Sequence, residues 1–443
     1  MTTVYLVRHA EAEGNLFKRI HGQYDSPVTA LGRRQIECLE KRFSSISVDA
    51  VYASDLKRTC QTAAAIYVPK QLELHKEPKL REIYLGAWED KPFGEVMRTD
   101  LEDMLRFSTG EPDWRAPGGE SLREVGDRAE QAIRRIIREN PGRTVAVVSH
   151  GTALRQVLSR LLHRPVDPDQ YLPEGYNTAV SCLEAEGDNI TVKWYNDASH
   201  LTPDILNAAV KPNQGRDKMA DEGARFPHLL WFRPWDPKRE AERYLAYRAE
   251  GWLSSHGTME HFDGPAFLAA AQAHSAYDAN AVQVVYSDGQ PAGILELDYA
   301  KGIDEGVGAI AFYYVDEAHR KCGLGVQLLG QAVSVYRAMG RTKLRLRCAP
   351  ENETAYRFYC RQDFKKVGMA EDSVVPLYLM DRPILYKRGL YALHTAPVLC
   401  LVVVFVPDRR QRCGGEFQIG VPLVLSLRLH RDQPCALHFG CHI

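Results

Sequence analysis

The sequence lacks three features that would mark a specialised class of protein. No apolar run approaches the roughly 18 residues that span a bilayer, and the chain starts in a β-rich run without the basic and apolar segments of a secretory signal. The ten cysteines form no Cys-x-x-Cys pair, which argues against a disulfide framework or a zinc knuckle. Lys and Arg (56) balance Asp and Glu (57), so no excess charge favours nucleic acid or an acidic membrane. We therefore expect a cytoplasmic protein with reduced thiols that binds neither nucleic acid nor membrane.

At 443 residues the chain is long enough for two or three independent cores. From residue 1 to about 205, short β-rich runs alternate with helical patterns, as where TVYLV is followed by TALGRRQIECLEKRF. This alternation is typical of an α/β domain with a mostly parallel sheet. Residues 206–224 are polar, contain Pro and Gly and show no sustained period, so they predict a linker.

A second domain is predicted over residues 225–385. Two helical stretches precede a strand-rich middle (AVQVVYSD, PAGILELDYA, GAIAFYYV), which is followed by further helices and strands. This order indicates an α+β fold with a mixed central sheet. Residues 386–443 differ in kind, with four cysteines, four histidines and three acidic residues, and predict an atypical, disordered C-terminal extension. Its zinc candidates lack a Cys-x-x-Cys knuckle, so we expect no metal there: Cys413, Cys435, His438, Cys441 and His442.

Basic side chains and histidines follow three predicted strands of the first domain, where these strands end. Arg8 and His9 follow TVYLV, His150 follows TVAVVS, and Arg58 lies early in the helix after DAVYAS. Ligands of open α/β sheets bind beyond the carboxyl ends of the strands, so we expect these side chains to share one crevice. Two guanidiniums and two imidazoles would repel a divalent cation but match the charge and shape of a phosphate group. The sequence thus predicts a phosphoryl site without a metal.

Six motifs occur in order along the first domain: LVRHAEAEGN, HGQYDSPVTALG, SDLKRTCQTA, LREIYLGAWED, PGGES and VSHGTALR. Together they resemble the histidine phosphatases of the phosphoglycerate-mutase-like superfamily, and the resemblance covers about residues 1–200. It implies a three-layer α/β fold. It also implies hydrolysis of a small phosphorylated metabolite through a phosphohistidine on His9, a reaction open to an imidazole that is neutral near pH 7.

The same resemblance implies roles for the residues around His9. Arg8, Arg58 and His150 would hold the phosphoryl oxygens and stabilise the transition state, and Glu82 of LREIYLG would be the general acid. Substrate-side contacts are implied for Asn15, His21 and Gly22.

Two features bear on the reaction expected of this domain. Ala10 stands where the family motif has Gly, and its methyl group is expected to narrow the pocket or change the backbone approach. Glu82 and His150 lie 68 positions apart, a shorter separation than in mutases, which carry an inserted segment over the sugar phosphate. Hydrolysis is therefore favoured, and phosphoglycerate-type mutase chemistry is the alternative.

In the second domain, AHRKCGLG follows the strand GAIAFYYVD and opens the helix VQLLGQAVSVYRAM. Small residues at such a turn expose backbone amides that can bind a pyrophosphate, as found in nucleotide cofactors and in coenzyme A. The run from Arg320 to Gly325 is similar to the (Arg/Gln)-x-x-Gly-x-(Gly/Ala) motif of GNAT acetyltransferases, and NETAYRFYCRQDF, from Asn352 to Phe364, resembles a second element of that family. Asp363 departs from that element, which often has Gly there.

The GNAT resemblance implies acetyl transfer from acetyl-CoA to an amine. The strand through Val315 would splay from its neighbour to admit the cofactor, and Tyr359 would protonate the departing thiolate. No general base is evident; Glu296 is expected to be a solvent-facing strand acid rather than a catalytic one. Because the base is missing, a non-catalytic acyl-CoA-binding module is a further alternative. The residues implied to bind the cofactor are Val315, Arg320, Lys321, Cys322, Gly323, Leu324, Gly325 and Asn352.

Overall fold

The first sheet of the computed structural model has six strands in the order β3-β2-β4-β1-β5-β6. Strands β3, β2, β4 and β1 run parallel to one another, β5 pairs antiparallel with β1, and β6 pairs antiparallel with β5. This arrangement confirms the predicted mostly parallel sheet. The strands are β1 (Thr2–Arg8), β2 (Ala50–Ala53), β3 (Leu74–Lys76), β4 (Thr144–Ser149), β5 (Val180–Glu186) and β6 (Asn189–Asp197).

Helices cover both faces of this sheet, which explains why its central strands are apolar without interruption. In β1, Val4 and Leu6 belong to the core shared with α6 and α7, whereas Val7 belongs to the core shared with α2 and α3. The helices are α1 (Glu13–Phe17), α2 (Ala30–Phe43), α3 (Lys57–Tyr67), α4 (Phe93–Thr99), α5 (Leu101–Thr109), α6 (Leu122–Glu139) and α7 (Gly151–Leu161), with short 3-10 turns at Pro78–Leu80 and Gly86–Trp88.

The second sheet has seven strands in the mixed order β12-β13-β11-β10-β9-β8-β7. Helices α8 and α9 cover one face, and α10 and α11 cover the other. The elements are β7 (Leu230–Pro234), α8 (Ala241–His256), α9 (Gly264–Tyr277), β8 (Val282–Ser287), β9 (Gln290–Asp298), β10 (Val307–Val315), α10 (Leu324–Ala338), β11 (Lys343–Cys348), α11 (Glu353–Arg361), β12 (Lys365–Met369) and β13 (Tyr378–Pro383), with 3-10 turns at Ala279–Ala281 and Glu317–His319.

The structure describes residues 1–163, 172, 175–206 and 228–384. The predicted linker, apart from Leu206, and the predicted extension 386–443 lie outside these residues, as do the zinc candidates of the extension. Within the described residues, no helix is both long enough and apolar enough to cross a bilayer.

The two sheets belong to one compact unit, Met1–Tyr386, and their cores meet at α1. Phe17 of α1 is buried in the hydrophobic core of the second sheet. Helix α10 approaches so closely that a Cβ on Gly330 would lie 2.5 Å from the Cβ of Phe17. A Cβ on Gly94 would likewise lie 2.3 Å from the carbonyl oxygen of Leu230. The two predicted domains therefore pack directly against each other rather than standing apart.

Buried charges cross this boundary. The carboxylate of Glu13 in α1 forms ion pairs with Arg337 of α10 (2.5 Å) and with Arg382 of β13 (2.7 Å). All three side chains are buried, with 3–8% of their surface exposed. Burial acts to raise the pKa of Glu13, but the two guanidiniums outweigh it and hold that pKa below its ordinary value. Separating the two sheets would therefore either expose these three charged side chains to solvent or leave them buried without their ion-pair partners.

Candidate active sites

His9 lies at the end of β1 with its ring orientation fixed. Its Nδ1 is 2.7 Å from the carbonyl oxygen of Ala10. A carbonyl can only accept, so Nδ1 carries the proton and Nε2 keeps its lone pair. Burial, with added repulsion from Arg58 and Arg8, holds the pKa of His9 well below its ordinary 6.5. The imidazole is therefore neutral near pH 7, and Nε2 is its unprotonated nitrogen.

Arg58 sits at the start of α3, as the sequence predicted, and is almost fully buried. Its guanidinium donates to the carbonyl oxygens of Tyr24 (3.0 Å) and Gly22 (2.7 Å). Arg8 ends β1, and its guanidinium donates to the carbonyl of Gly175. Backbone carbonyls thus orient both guanidiniums, and their fork of N–H donors is suited to the oxygens of an anion.

His150 follows β4 and occupies the N-cap position of α7, with its ring centroid 5.2 Å from that of His9. Its Nε2 is 2.9 Å from the hydroxyl of Ser54, while its buried Nδ1 has no hydrogen-bond partner among the described residues. Burial and the nearby Arg58 keep the pKa of His150 well below 6.5. An unsatisfied buried nitrogen is costly, and a bound phosphate oxygen would satisfy it.

Glu82 lies beside the first turn of α7. Its carboxylate accepts from the backbone N–H groups of Ile83 (3.0 Å), Thr152 (2.9 Å) and Ala153 (3.0 Å). Two of these donors belong to the N-terminus of α7, and together the three hydrogen bonds stabilise a carboxylate over a carboxylic acid. A protonated Glu82, as a general acid requires, would have to give up part of this hydrogen bonding.

The three residues implied to contact the substrate have different surroundings. The side-chain oxygen of Asn15 accepts from the backbone N–H of Ala12 (3.1 Å). His21 has both ring nitrogens engaged, with Ser26 (3.0 Å) and Asp90 (3.0 Å). Gly22 is required by packing, because a Cβ there would lie 2.3 Å from the carbonyl oxygen of Ile83. The structure therefore brings Gly22 to Arg58 and holds His21 within the protein, and substrate contacts of all three stay predictions.

Sequence reasoning missed several residues that support this site. Ser54 contacts His150, and the side-chain amide of Asn177 donates to the carbonyl oxygen of His9 (2.9 Å). Glu89 accepts from three backbone N–H groups, those of Gln23, Tyr24 and Leu85. Arg128 of α6 donates to the carbonyl oxygen of Glu82 (2.8 Å). Ser54 and Glu89 lie inside recognised motifs and could have been considered, whereas Asn177 and Arg128 have no local signal.

The predicted pyrophosphate loop connects β10 to α10. Gly323 has φ +78° and no atom of a more distant residue within 4 Å of an added Cβ, so the space on that side of the loop is open. Lys321 also adopts positive φ (+64°), and the Arg320 guanidinium donates to the carbonyl oxygen of Val315 (2.9 Å). Cys322 is exposed, and Leu324, the first residue of α10, is buried. At Gly325, an added Cβ would lie 3.1 Å from the ring of Phe358, so a larger residue would crowd that ring. The loop can therefore accept a phosphate group at the N-terminus of α10.

Strands β10 and β11 pair over only three positions, from Val307 opposite Lys343 to Ala309 opposite Arg345. Beyond Ala309 no pairing between them is formed, so the two strands separate before Val315, as the GNAT resemblance implied. Tyr359 lies on α11 and is 92% buried. Burial, with a smaller effect from Cys348, raises the pKa of its phenol, which therefore keeps its proton near neutral pH.

Asn352 and Glu296 have surroundings that differ from those expected from the sequence. The side-chain oxygen of Asn352 caps α11 by accepting from Ala355 (3.0 Å), so a role in cofactor binding stays a prediction. Glu296 is fully buried rather than facing solvent, and it accepts from the hydroxyl of Tyr244 (2.8 Å) and from Nδ1 of His274 (2.8 Å). Among the described residues, His, Cys, Asp and Glu do not gather in groups of three suited to a metal ion.

Comparison with known protein families gives a match for each half of the chain. Residues 4–198 match the histidine phosphatase superfamily (branch 1), and residues 243–364 match the acetyltransferase (GNAT) family. The chain therefore belongs to the histidine phosphatase superfamily and carries a GNAT domain in the same polypeptide. Both predicted resemblances are confirmed.

Three similar proteins match the first half of the chain. A "Probable phosphoglycerate mutase GpmB" of Proteus mirabilis is 33% identical over 212 residues, which are 47% of this chain and 98% of that protein. Its namesake in Serratia proteamaculans is 36% identical over 172 residues, 39% of this chain and 80% of the relative. The solved structure of Bacillus stearothermophilus YhfR has 33% sequence identity and covers 45% of this chain and 99% of its own, with a TM-score of 0.43.

Proposed function

We propose that the chain is a bifunctional enzyme that hydrolyses a small phosphomonoester and transfers an acetyl group from acetyl-CoA to an amine. The observation that carries the first activity is the fixed His9 ring, whose Nδ1–H is held by the carbonyl of Ala10 while Nε2 keeps its lone pair. The proposal is further supported by His150, whose ring lies 5.2 Å from that of His9 and has an unsatisfied nitrogen, and by Arg58 and Arg8, whose charges lower the pKa of both histidines and would attract phosphoryl oxygens.

Hydrolysis would proceed in two steps. Nε2 of His9 attacks phosphorus, the P–O bond to the alcohol breaks, and a protonated Glu82 delivers its proton to the leaving oxygen. The resulting Glu82 carboxylate regains its three backbone donors and then takes a proton from water. That water attacks the phosphohistidine, the N–P bond breaks, and inorganic phosphate leaves.

For acetyl transfer, two features support binding of acetyl-CoA as a co-substrate. The pyrophosphate would lie on the amides around Gly323, and the extended arm of the cofactor would enter the gap that opens between β10 and β11 beyond Ala309. The acceptor amine attacks the thioester carbonyl, and Tyr359 protonates the departing thiolate. Glu296 is engaged by Tyr244 and His274, so the amine base is left unassigned.

Mutase chemistry is the second candidate for the first domain, because the similar proteins carry the name phosphoglycerate mutase. Phosphorus NMR on a panel of phosphorylated hydroxy acids and alcohols separates the two reactions. We expect inorganic phosphate to be released; a phosphate moved to a neighbouring hydroxyl without release would instead support the mutase. Acetyl-CoA presented with a panel of amines tests the second activity, and cofactor binding without transfer would favour a non-catalytic module.

The pKa shifts predict an unusual titration. His9 and His150 should stay neutral as the pH falls through 6.5, because their pKa values lie well below it. His274 should gain its proton above pH 6.5, because the hydrogen bond to Glu296 raises its pKa. Histidine NMR, with assignments from single His→Ala variants, measures all three. A midpoint for His9 at or above 6.5 would contradict the neutral nucleophile.

Replacing Glu82 with Gln should slow substrates with poor leaving groups far more than activated aryl phosphates. An alkyl phosphate needs the proton and should lose about 100-fold in kcat, whereas an aryl phosphate should lose less than about tenfold. Steady-state kinetics on both substrates measure the contrast, and Glu40→Gln, an exposed residue of α2, is the control. Equal losses on the two substrates would remove Glu82 as the acid.

Gly323→Glu should weaken acetyl-CoA binding by at least about tenfold, because it places a carboxylate and a strained side chain where amides meet a pyrophosphate. Calorimetry measures the affinity. The whole chain is used because Arg337 and Arg382 of the second domain form buried ion pairs with Glu13 of the first, and a fragment would lose them. Gly340→Glu is a matched control, because Gly340 also has positive φ (+76°) and open space around a Cβ. Equal affinity in the two variants would mean that the cofactor binds elsewhere.

A further inference from the structure

Asp90 connects the two domains through a single carboxylate. Its Oδ1 accepts from Nε of Arg19 (2.8 Å) and lies 3.0 Å from Nε2 of His21. Its Oδ2 accepts from the hydroxyl of Ser334 in α10 of the acetyltransferase domain (2.6 Å). Asp90 also adopts the left-handed backbone conformation, with φ +58°, which is uncommon outside glycine. The fold therefore holds an uncommon backbone conformation at the residue that makes all three contacts.

Arg19 and His21, two of the partners of Asp90, belong to a segment that orients Arg58. The N–H of Asp90 donates to the carbonyl oxygen of Ile20 (2.7 Å), which ties the two segments together. His21 packs against the ring of Tyr24, with centroids 4.5 Å apart. The carbonyl oxygens of Gly22 and Tyr24 are the ones that receive the guanidinium of Arg58. A shift of residues 19–24 would therefore move the carbonyls that set the direction of Arg58.

Helix α10 supports the same segment at further points. Arg19 donates to the side chain of Gln331 (2.8 Å) and to the hydroxyl of Ser334 (2.9 Å). Burial raises the pKa of the Tyr24 phenol, and the nearby guanidinium of Arg337 acts in the opposite direction. The close approach of Gly330 to Phe17 keeps α10 near enough for these contacts. Gln331, Ser334 and Arg337 of the second domain thus interact with residues 19–24, whose carbonyl oxygens orient Arg58.

We propose that Asp90 and Ser334 are positioning residues of the phosphatase site, so that the acetyltransferase domain completes the phosphate-binding crevice of its neighbour. The proposal rests on the phosphatase function proposed above. Neither residue touches the phosphate; both act through residues 19–24 on Arg58. The acetyltransferase domain would then be needed for tight phosphate binding even when acetyl-CoA is absent.

Two substitutions in the full chain test this. Asp90→Gly removes the carboxylate and leaves a residue that adopts positive φ without strain, and Ser334→Ala removes one hydroxyl from the opposite domain. The Ki of inorganic phosphate and the KM of a phosphomonoester should rise about tenfold for Asp90→Gly and about threefold for Ser334→Ala. Acetyl-CoA affinity should not change. Ser275→Ala, in α9 of the same domain and outside this network, is the control.

The double variant provides the readout that a general loss of stability would not mimic. Because Ser334 contacts both Asp90 and Arg19, the two effects should be coupled, and adding Ser334→Ala to Asp90→Gly should raise the Ki further by clearly less than threefold. Effects that simply multiply, or a Ki within twofold of wild type for Ser334→Ala, would overturn the proposal. If Asp90→Gly fails to fold, the Ser334→Ala value decides alone. His9→Ala is measured alongside: retained turnover there would reject the phosphatase function itself, whatever Asp90 and Ser334 do.

Discussion

His9→Ala is expected to lower the kcat for phosphomonoester hydrolysis by at least about a thousandfold, because the atom that accepts the phosphoryl group is removed. Arg8, Arg58 and His150 are left in place, so inorganic phosphate should still bind. A loss of turnover with phosphate binding retained separates a nucleophile from a residue that only holds the substrate.

His75→Ala is the control for this substitution, because His75 is an exposed histidine on β3 of the same sheet. It should keep wild-type turnover. Acetyl-CoA binding should be the same in wild type and in both variants. Near-normal hydrolysis by His9→Ala would mean that phosphate passes directly to water or to another residue, and the covalent mechanism would be wrong.

Glu13→Ala should destabilise the protein by about 3–5 kcal/mol, since it leaves Arg337 and Arg382 buried at the domain boundary without their counter-charge. Denaturant unfolding measures the loss. Glu353→Ala is the control: Glu353 pairs with Arg357 on α11, both side chains are 73% exposed, and such pairs contribute about 0–1 kcal/mol. Similar losses for the two variants would show that the boundary pairs add nothing to stability.

The same ion pairs predict the direction of a pH effect. The pKa of Glu13 is lowered in the folded protein, so its contribution is fully present above its unfolded value of 4.5 and is lost as the pH falls through the lower folded value. Wild type should therefore lose more stability between pH 5 and strongly acidic pH than Glu13→Ala does. Parallel pH profiles for the two proteins would contradict the pairing.

Features with a local signature could be predicted from the sequence. The strands that end at Arg8-His9 and at His150 are apolar runs that stop at a basic or imidazole side chain, and both form as expected. The spacing of Ser121 and Glu124 predicts a capping box, and their reciprocal hydrogen bonds of 3.2 and 2.8 Å start α6. Such signals depend on neighbours within a few residues, which a sequence displays directly.

Contacts between distant residues could not be predicted in the same way. Asp90 and Ser334 are 244 positions apart, and nothing near either residue indicates the other. Glu296 shows a second limit. Polar residues that alternate with apolar ones suggest a solvent-facing side, but helices cover both faces of β9, and Glu296 is buried against Tyr244. A single strand does not reveal how many of its faces the rest of the chain will cover.

The central claim is that the phosphatase reaction passes through a phosphohistidine on His9. The direct measurement is a rapid alkaline quench of the enzyme with a phosphomonoester during turnover, followed by mass spectrometry of the peptide that carries His9. Phosphate on His9 of the wild type that is stable in base, lost in acid and absent from His9→Ala is the expected result. Phosphate on another residue, or an unmodified His9 peptide while wild-type enzyme turns over and the quench is fast enough to trap an intermediate, would contradict the account.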